Sequence, residues 1–372
     1  MRIAQLANFI GPASGGMRVA VDALGRGYAE AGADRLLVVP GPVDVRTSTP
    51  AGEVVQLRAP RVGGGYRLIV EPWRVTEVLE RFAPTSIELS DKTTLLPVAR
   101  WARRQGIGTV LFSHERLDDM FAMRTGLETG AKVSINLLNR LLVRSVDRIV
   151  VTSRYAQREF TGLTAAVGCG LDRVPLGVDH DTFRPRPRVA ADGRIRLVLA
   201  GRLSREKSPA LAIATAMELH RRGVPVHLDV YGDGPHRDEL VQLARGGPVT
   251  FHGYVGDREE LSRRLSAADV ALSVCPGETF GLAVLEALAS GTPVVTANRG
   301  GARELVDHRC GAWADPEPGA LADAVVELAR RPVAPTRAAA RARALRFPWS
   351  ASVARVLEVH AELATVAEPA TA

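Results

Sequence analysis

Long apolar runs are missing from this sequence. Nowhere do about 18 uncharged apolar residues follow one another, so hydropathy offers no membrane-spanning helix. The first residues, Met1-Arg2-Ile3-Ala4-Gln5-Leu6, run straight into a strand pattern without the apolar stretch of a signal peptide. Cysteine is scarce: Cys169, Cys275 and Cys310 are odd in number, far apart and without a CxxC pair. They read as reduced, buried thiols of a cytosolic protein, and a metal site or a disulfide framework is not expected. Aromatics make up only 5% of the chain, and no basic stripe interleaves with them, which argues against a nucleic-acid partner. Lysine is rarer still. Of 48 basic residues only Lys92, Lys132 and Lys207 are lysines, so a lysine marks a place where arginine will not do.

The 372 residues carry a net charge of +7, and 46% of them are hydrophobic. That is an ordinary folded composition, too long for one core, so two domains are expected. The positive charge suits nucleotide phosphates and anionic lipid headgroups equally well.

Short apolar, β-rich runs alternate with helical patterns along the whole chain. Ile3–Phe9, Leu36–Val39, Ser86–Leu89, Thr109–Phe112 and Arg148–Thr152 read as strands of a first half. Ile195–Ala200, Val226–Tyr231, Val249–His252, Val270–Val274 and Pro293–Thr296 read as strands of a second. Gly16–Ala31 and Pro209–Arg222 show helical spacing. Uninterrupted apolar strands between helices predict parallel sheets covered on both faces, hence an α/β chain with two doubly wound, Rossmann-like domains. The proline-rich stretch 183–193 reads as the linker, giving domains 1–182 and 194–346. Pro348 breaks the pattern before a helix-like 351–363 within a terminal segment 347–372, with Ser350 as its N-cap.

Cys275-Pro276-Gly277-Glu278-Thr279-Phe280-Gly281-Leu282 follows a strand and leads into a helix ending near Ala289. The free N–H groups at such a helix start form an anion site. Glu278 lies on the loop and Glu286 about five residues into the helix, roughly 7 Å below its start, acceptors suited to the two sugars of a nucleotide sugar. Gly201-Arg202-Leu203-Ser204-Arg205-Glu206-Lys207 follows the first strand of the second half, where a forked guanidinium and a compact ammonium can neutralise a diphosphate. Gly11–Arg18, with Gly15 and Gly16, is a glycine loop before a helix. It lacks the G-x-G-x-x-G order of a dinucleotide fold. His114 and Asp91 each follow a strand, the edge where this sheet type places its sites. A structural histidine and a plain helix N-cap are the competing readings.

Glu278 and Glu286 stand in the E-x7-E arrangement of the family 4 retaining glycosyltransferases, which have the GT-B fold. Gly300-Gly301-Ala302-Arg303-Glu304-Leu305-Val306 resembles that family's GG-x-x-E-x-V segment, and Gly201-Arg202 with Lys207 its GR-x4-K pattern. The resemblance implies two domains facing a central cleft, the N-terminal one binding acceptor and the C-terminal one a nucleotide sugar, with a C-terminal helix crossing back to the first. It implies that Arg202 and Lys207 hold the donor diphosphate. Gly15, Gly16, Phe280, Gly281 and Leu282 would complete the phosphate site, Glu286 would take the ribose, and Glu278 and His114 the transferred sugar. Asn8, Arg18 and Asp91 are acceptor-side candidates. Asp233, in Gly232-Asp233-Gly234-Pro235, reads as a structural turn. Asp179-His180-Asp181 spells DxD but sits in a Pro-x-Gly-Val-Asp context typical of the family's linker, so neither metal nor cofactor is expected. The opening Gln5–Arg18 and Glu88–Leu95 look like the phosphatidylinositol-mannoside α-mannosyltransferase branch. That branch implies GDP-mannose as donor, a lipid-linked mannoside as acceptor and peripheral contact with an anionic membrane. A UDP-sugar transferase, a GT-B phosphorylase or epimerase, and a non-catalytic nucleotide-sugar binder are the alternatives.

Overall fold

The computed structural model describes residues 1–8, 10, 15–62, 66–115, 128–187 and 193–366. The chain forms two compact units, divided between Pro175 and Leu176, with the segment from Trp349 onward belonging to the first.

The first unit is built on eight strands: β1 (Arg2–Leu6), β2 (Asp34–Gly41), β3 (Val45–Thr49), β4 (Gly52–Arg58), β7 (Ser86–Leu89), β8 (Gly108–Ser113), β9 (Arg148–Val151) and β10 (Gly170–Arg173). Between β4 and β7 in sequence a small antiparallel ribbon forms from β5 (Arg61–Val62) and β6 (Tyr66–Arg67). The sheet order is β10-β9-β8-β7-β1-β2-β4-β3, parallel except for the β3–β4 hairpin. Central strands such as β7 and β8 are buried along their whole length, as parallel strands covered on both faces must be. The exposed β3 escaped the sequence reading because its Val-Arg-Thr-Ser-Thr has no apolar periodicity.

The terminal helix Trp349–Val366 packs in this first unit. It starts two residues earlier than expected, so Ser350 lies in its first turn and is not the N-cap. Its fully buried His360 meets Tyr28 edge-on at 5.6 Å and shares a 2.9 Å hydrogen bond between Nδ1 and Ser86 Oγ. Glu88, equally buried, accepts from Tyr28 Oη at 2.7 Å and Gln5 Nε2 at 2.9 Å. Burial alone would raise the Glu88 carboxyl, but His360, Tyr28 and Gln5 hold it below the usual range.

The second unit has six parallel strands: β11 (Ile195–Ala200), β12 (Val226–Tyr231), β13 (Val249–Gly253), β14 (Val270–Ser273), β15 (Val294–Ala297) and β16 (Gly311–Ala314). Their order is β13-β12-β11-β14-β15-β16. Numbered within the unit this is 3-2-1-4-5-6, the doubly wound dinucleotide-binding order, with its switch point between β11 and β14. The core joins Leu197, Leu199, Leu228, Val230, Val270 and Leu272 to helix residues such as Ile213 and Val325. Among the described residues no helix is long and apolar enough to cross a membrane.

Candidate active site

Because β11 and β14 are neighbours and their following helices lie on opposite faces, the loops at their carboxyl ends lie side by side. These are the loops that carry Arg202–Lys207 and Cys275–Gly281. Lys207, on the 3₁₀ turn Arg205–Lys207, donates to Glu278 Oε2 at 2.8 Å. Lys207 is 44% exposed and Glu278 15%. The Cys275 thiol donates to the Glu206 carbonyl at 3.0 Å, tying the two loops below that ion pair. Burial pushes this thiol up to about 11.

Each loop is braced from a third segment. Leu203 N–H donates to the Asp233 carbonyl at 3.0 Å, and His236 N–H to the Leu203 carbonyl at 3.1 Å. Gly232, at φ 146°, faces the Gly201 carbonyl oxygen so closely that any Cβ would collide with it. Asp233 Oδ1 accepts from Gly234 N–H at 2.8 Å, so this turn is a backbone prop for the arginine loop. On the other side Gly301 N–H donates to the Glu278 carbonyl at 2.6 Å. Gly300, at φ 92°, would set a Cβ 3.0 Å from the Pro276 carbonyl and 3.2 Å from that of Glu278. Arg303, next in the same motif, stacks on Trp313 at 3.3 Å from the ring centroid.

The helix Leu282–Ala289 begins at Gly281, the N-cap, with φ 99°. Val284 and Leu285 donate back to the Gly281 carbonyl. The N–H groups of Leu282 and Ala283 precede those bonds and, with the helix dipole, favour an anion here. Phe280 is buried beneath the loop. Glu286, also buried, accepts from Arg258 at 2.9 Å. Burial raises the Glu286 carboxyl and Arg258 opposes the rise. Arg205 is exposed, 3.8 Å from Glu239.

In the first unit, the switch point lies between β1 and β7. Asn8, fully buried, donates to the Ile69 carbonyl at 3.1 Å and to Thr94 Oγ1 at 2.5 Å, and accepts from Ile69 N–H at 2.7 Å. Thr94 in turn bonds Asp91, whose carboxylate also accepts from Thr93 N–H at 2.8 Å, Thr94 N–H at 2.9 Å and Leu95 N–H at 3.1 Å. Both Asn8 and Asp91 therefore organise the two loops, and Asp91 caps the turn leading to the helix Leu96–Arg104. His114, just past β8, stacks on Phe112 at 4.6 Å. Its buried Nε2 has no hydrogen-bond partner among the described residues, and burial pushes its imidazole down to about 4. Beside it Lys92, 7% exposed, pairs with Glu159 at 2.9 Å and donates to the Glu115 carbonyl. Gly15 caps the helix Gly16–Glu30, and Arg18 on that helix pairs with Asp22 at 3.7 Å. Gly11–Ser14, the rest of that glycine loop, lies outside the described residues.

Asp179 of the DxD sequence accepts from Asp181 N–H, Thr182 N–H and Thr182 Oγ1, closing a local turn. Among the described residues no three His, Cys, Asp or Glu side chains cluster as a metal site would require. Sequence reasoning missed Arg258, Cys275 and Glu159, each far in sequence from the group it serves. The rarity of lysine was the one signal that could have drawn attention to Lys92.

Two doubly wound units in series, the second with an anion-ready switch point, define the class: a GT-B glycosyltransferase. Residues 15–177 match the family model described as glycosyl transferase 4-like domain, and residues 194–331 the one described as glycosyl transferases group 1. The chain is 40% identical over 367 residues to the GDP-mannose-dependent alpha-(1-6)-phosphatidylinositol dimannoside mannosyltransferase of Mycobacterium tuberculosis (strain ATCC 25177 / H37Ra), covering 96% of this chain and 95% of that relative. Among solved structures, sucrose-phosphate synthase from Thermosynechococcus elongatus superposes with a TM-score of 0.78 at 20% identity, covering 97% of this chain and 98% of that one. Anabaena HepE in complex with UDP-glucose gives 0.75 at 18% identity, covering 97% of this chain and 100% of that one. The chain belongs to the family 4 retaining glycosyltransferases of the GT-B fold.

Proposed function

We propose that this glycosyltransferase moves mannose from GDP-mannose onto a hydroxyl of a lipid-linked mannoside, with retention at the anomeric carbon. The observation that carries the donor and acceptor classes is the likeness, over nearly the full length of both chains, to the dimannoside mannosyltransferase. The residue roles rest on the second unit's switch point. There Arg202, Lys207 and the N–H groups at Leu282 and Ala283 meet the diphosphate, whose charge grows as the glycosidic bond breaks. Lys207 exchanges its contact with Glu278 for a phosphate oxygen, which frees the Glu278 carboxylate to accept from hydroxyls of the transferred sugar. Glu286 accepts from the ribose. The departing phosphate oxygen takes the proton of the attacking hydroxyl on the same face, so no protein nucleophile is needed. This assignment needs no metal, since the cations are protein side chains. His114, neutral at pH 7, offers Nε2 to the sugar.

The first unit's exposed Val62, Val70 and Trp73, 37%, 53% and 57% accessible and close in sequence to the exposed Arg58, Arg61 and Arg81, are assigned to peripheral contact with the anionic membrane that carries the acceptor. The testing experiment is calorimetric binding of GDP against UDP, followed by turnover of GDP-mannose and UDP-glucose with and without EDTA. Tight GDP binding and EDTA-insensitive mannosyl transfer are expected. Selective turnover of the UDP-sugar would overturn the donor assignment, and loss of activity in EDTA the metal-free one.

A further inference from the structure

Glu286 differs from the other acids of the site in being built into the protein. It is 8% exposed, and a carboxylate there needs a partner to remain charged. Its ion pair is with Arg258, at the start of the helix Arg258–Ala267, whose guanidinium donates to Oε1 at 2.9 Å. Oε2 has no hydrogen bond from the described residues. Arg258 is itself held in place. Its guanidinium carbon lies 4.8 Å from the ring centroid of Phe183, a residue with no exposed surface. The nearby Asp179 carboxyl, which burial would raise, is held down by bonds from Thr182 and Asp181 and further by the Arg258 charge. Three segments distant in sequence, 179–183, the Arg258 helix and the Leu282 helix, are thus joined through one guanidinium.

We propose that Arg258 is a positioning residue that anchors Glu286 by one oxygen and so presents the other to the vicinal hydroxyls of the donor's ribose. The proposal rests on the reading of Glu286 as the ribose contact. A bidentate grip would consume both oxygens, and an unpaired acid would be free to turn. A single-pronged guanidinium braced against an aromatic ring leaves one oxygen charged, oriented and available.

The test is a ligand–mutant cycle with GDP and 2′,3′-dideoxy-GDP as probes, measured by calorimetry on the full chain. The proteins are the wild type, Arg258→Met, Arg258→Lys and Glu286→Gln. Wild type should prefer GDP about tenfold over the dideoxy analogue. Arg258→Met should lose that preference by weakening GDP about tenfold while leaving the analogue within twofold, and Arg258→Lys should regain at least half of it on a logarithmic scale. The mannosyl-transfer KM should rise in Arg258→Met with kcat changed less than threefold. Equal weakening of both probes in Arg258→Met would overturn the positioning role, as would an unchanged preference. Should Arg258→Met fail to fold, Arg258→Lys decides: a reduced preference with the analogue's affinity within twofold supports the role, and an unchanged preference or equal weakening of both probes rejects it. A wild type that binds both probes alike, with Glu286→Gln indistinguishable from it, would instead remove the ribose assignment itself.

Discussion

Lys207 Nζ lies 2.8 Å from Glu278 Oε2, joining the loop after β11 to the loop after β14. The two groups neutralise each other three residues before Gly281, the N-cap of the helix Leu282–Ala289. A half-exposed pair of this kind contributes about 0–1 kcal/mol to stability, so removing it should cost little folding energy.

Lys207→Met is expected to lower kcat/KM for the sugar nucleotide at least 100-fold while the melting temperature moves by no more than about 3 °C. Steady-state kinetics with a thermal melt decide it. Activity within fivefold of wild type would remove Lys207 from the diphosphate site.

Gly300→Ala forces a side chain into a left-handed backbone conformation and against two carbonyls of the Glu278 loop. We expect roughly 1–2 kcal/mol of lost stability and a drop in turnover of more than tenfold. Chemical denaturation and initial rates read the two effects. Wild-type activity would show that the loop position is unimportant.

All three cysteines are free and buried, and burial pushes each thiol up to about 11. Native protein at pH 8 should therefore react with a thiol reagent far more slowly than the denatured chain, which should release three equivalents. Cys275→Ser retains a donor for the Glu206 carbonyl and should keep the donor KM within threefold. Cys275→Ala leaves that carbonyl without its donor and should raise the KM further. Equal KM values in the two variants would dismiss the tether.

His114 has a folded-state value of about 4 against an ordinary 6.5. Below pH 6.5 the unfolded chain takes up a proton that the folded imidazole refuses, so stability falls as pH drops from 6.5 towards 4 and is level above that window. The slope is at most about 1.4 kcal/mol per pH unit. Urea unfolding at pH 6.5 and 5 should show wild type losing up to about 2 kcal/mol more than His114→Gln. Identical losses would mean that the imidazole is solvated.

Much of the second unit was legible because most of its strands are rich in apolar residues and its loops carry glycine with charged groups at short spacing. Glu278, Lys207 and Gly281 lie within eight residues of a strand end, so local reading could single them out. Asp91 and Asn8 were less legible. Their position after central strands pointed towards substrate, but their side chains are occupied by loop backbone and by Thr94, bonds that only the parallel pairing of β1 beside β7 creates. The fully buried Glu88, Tyr28 and His360 could not be associated at all, since His360 comes from a helix more than 270 residues away from Glu88.

What the amino-acid order determined alone is therefore the alternation of strand and helix, the two-domain plan and the glycine-and-charge loops that follow β11 and β14, because each depends on residues adjacent in the chain. Tertiary structure decided which side chains are available and which are already engaged. Burial and pairing depend on partners brought in by sheet order, and the 3-2-1-4-5-6 arrangement sets Lys207 against Glu278 and Arg258 against Glu286.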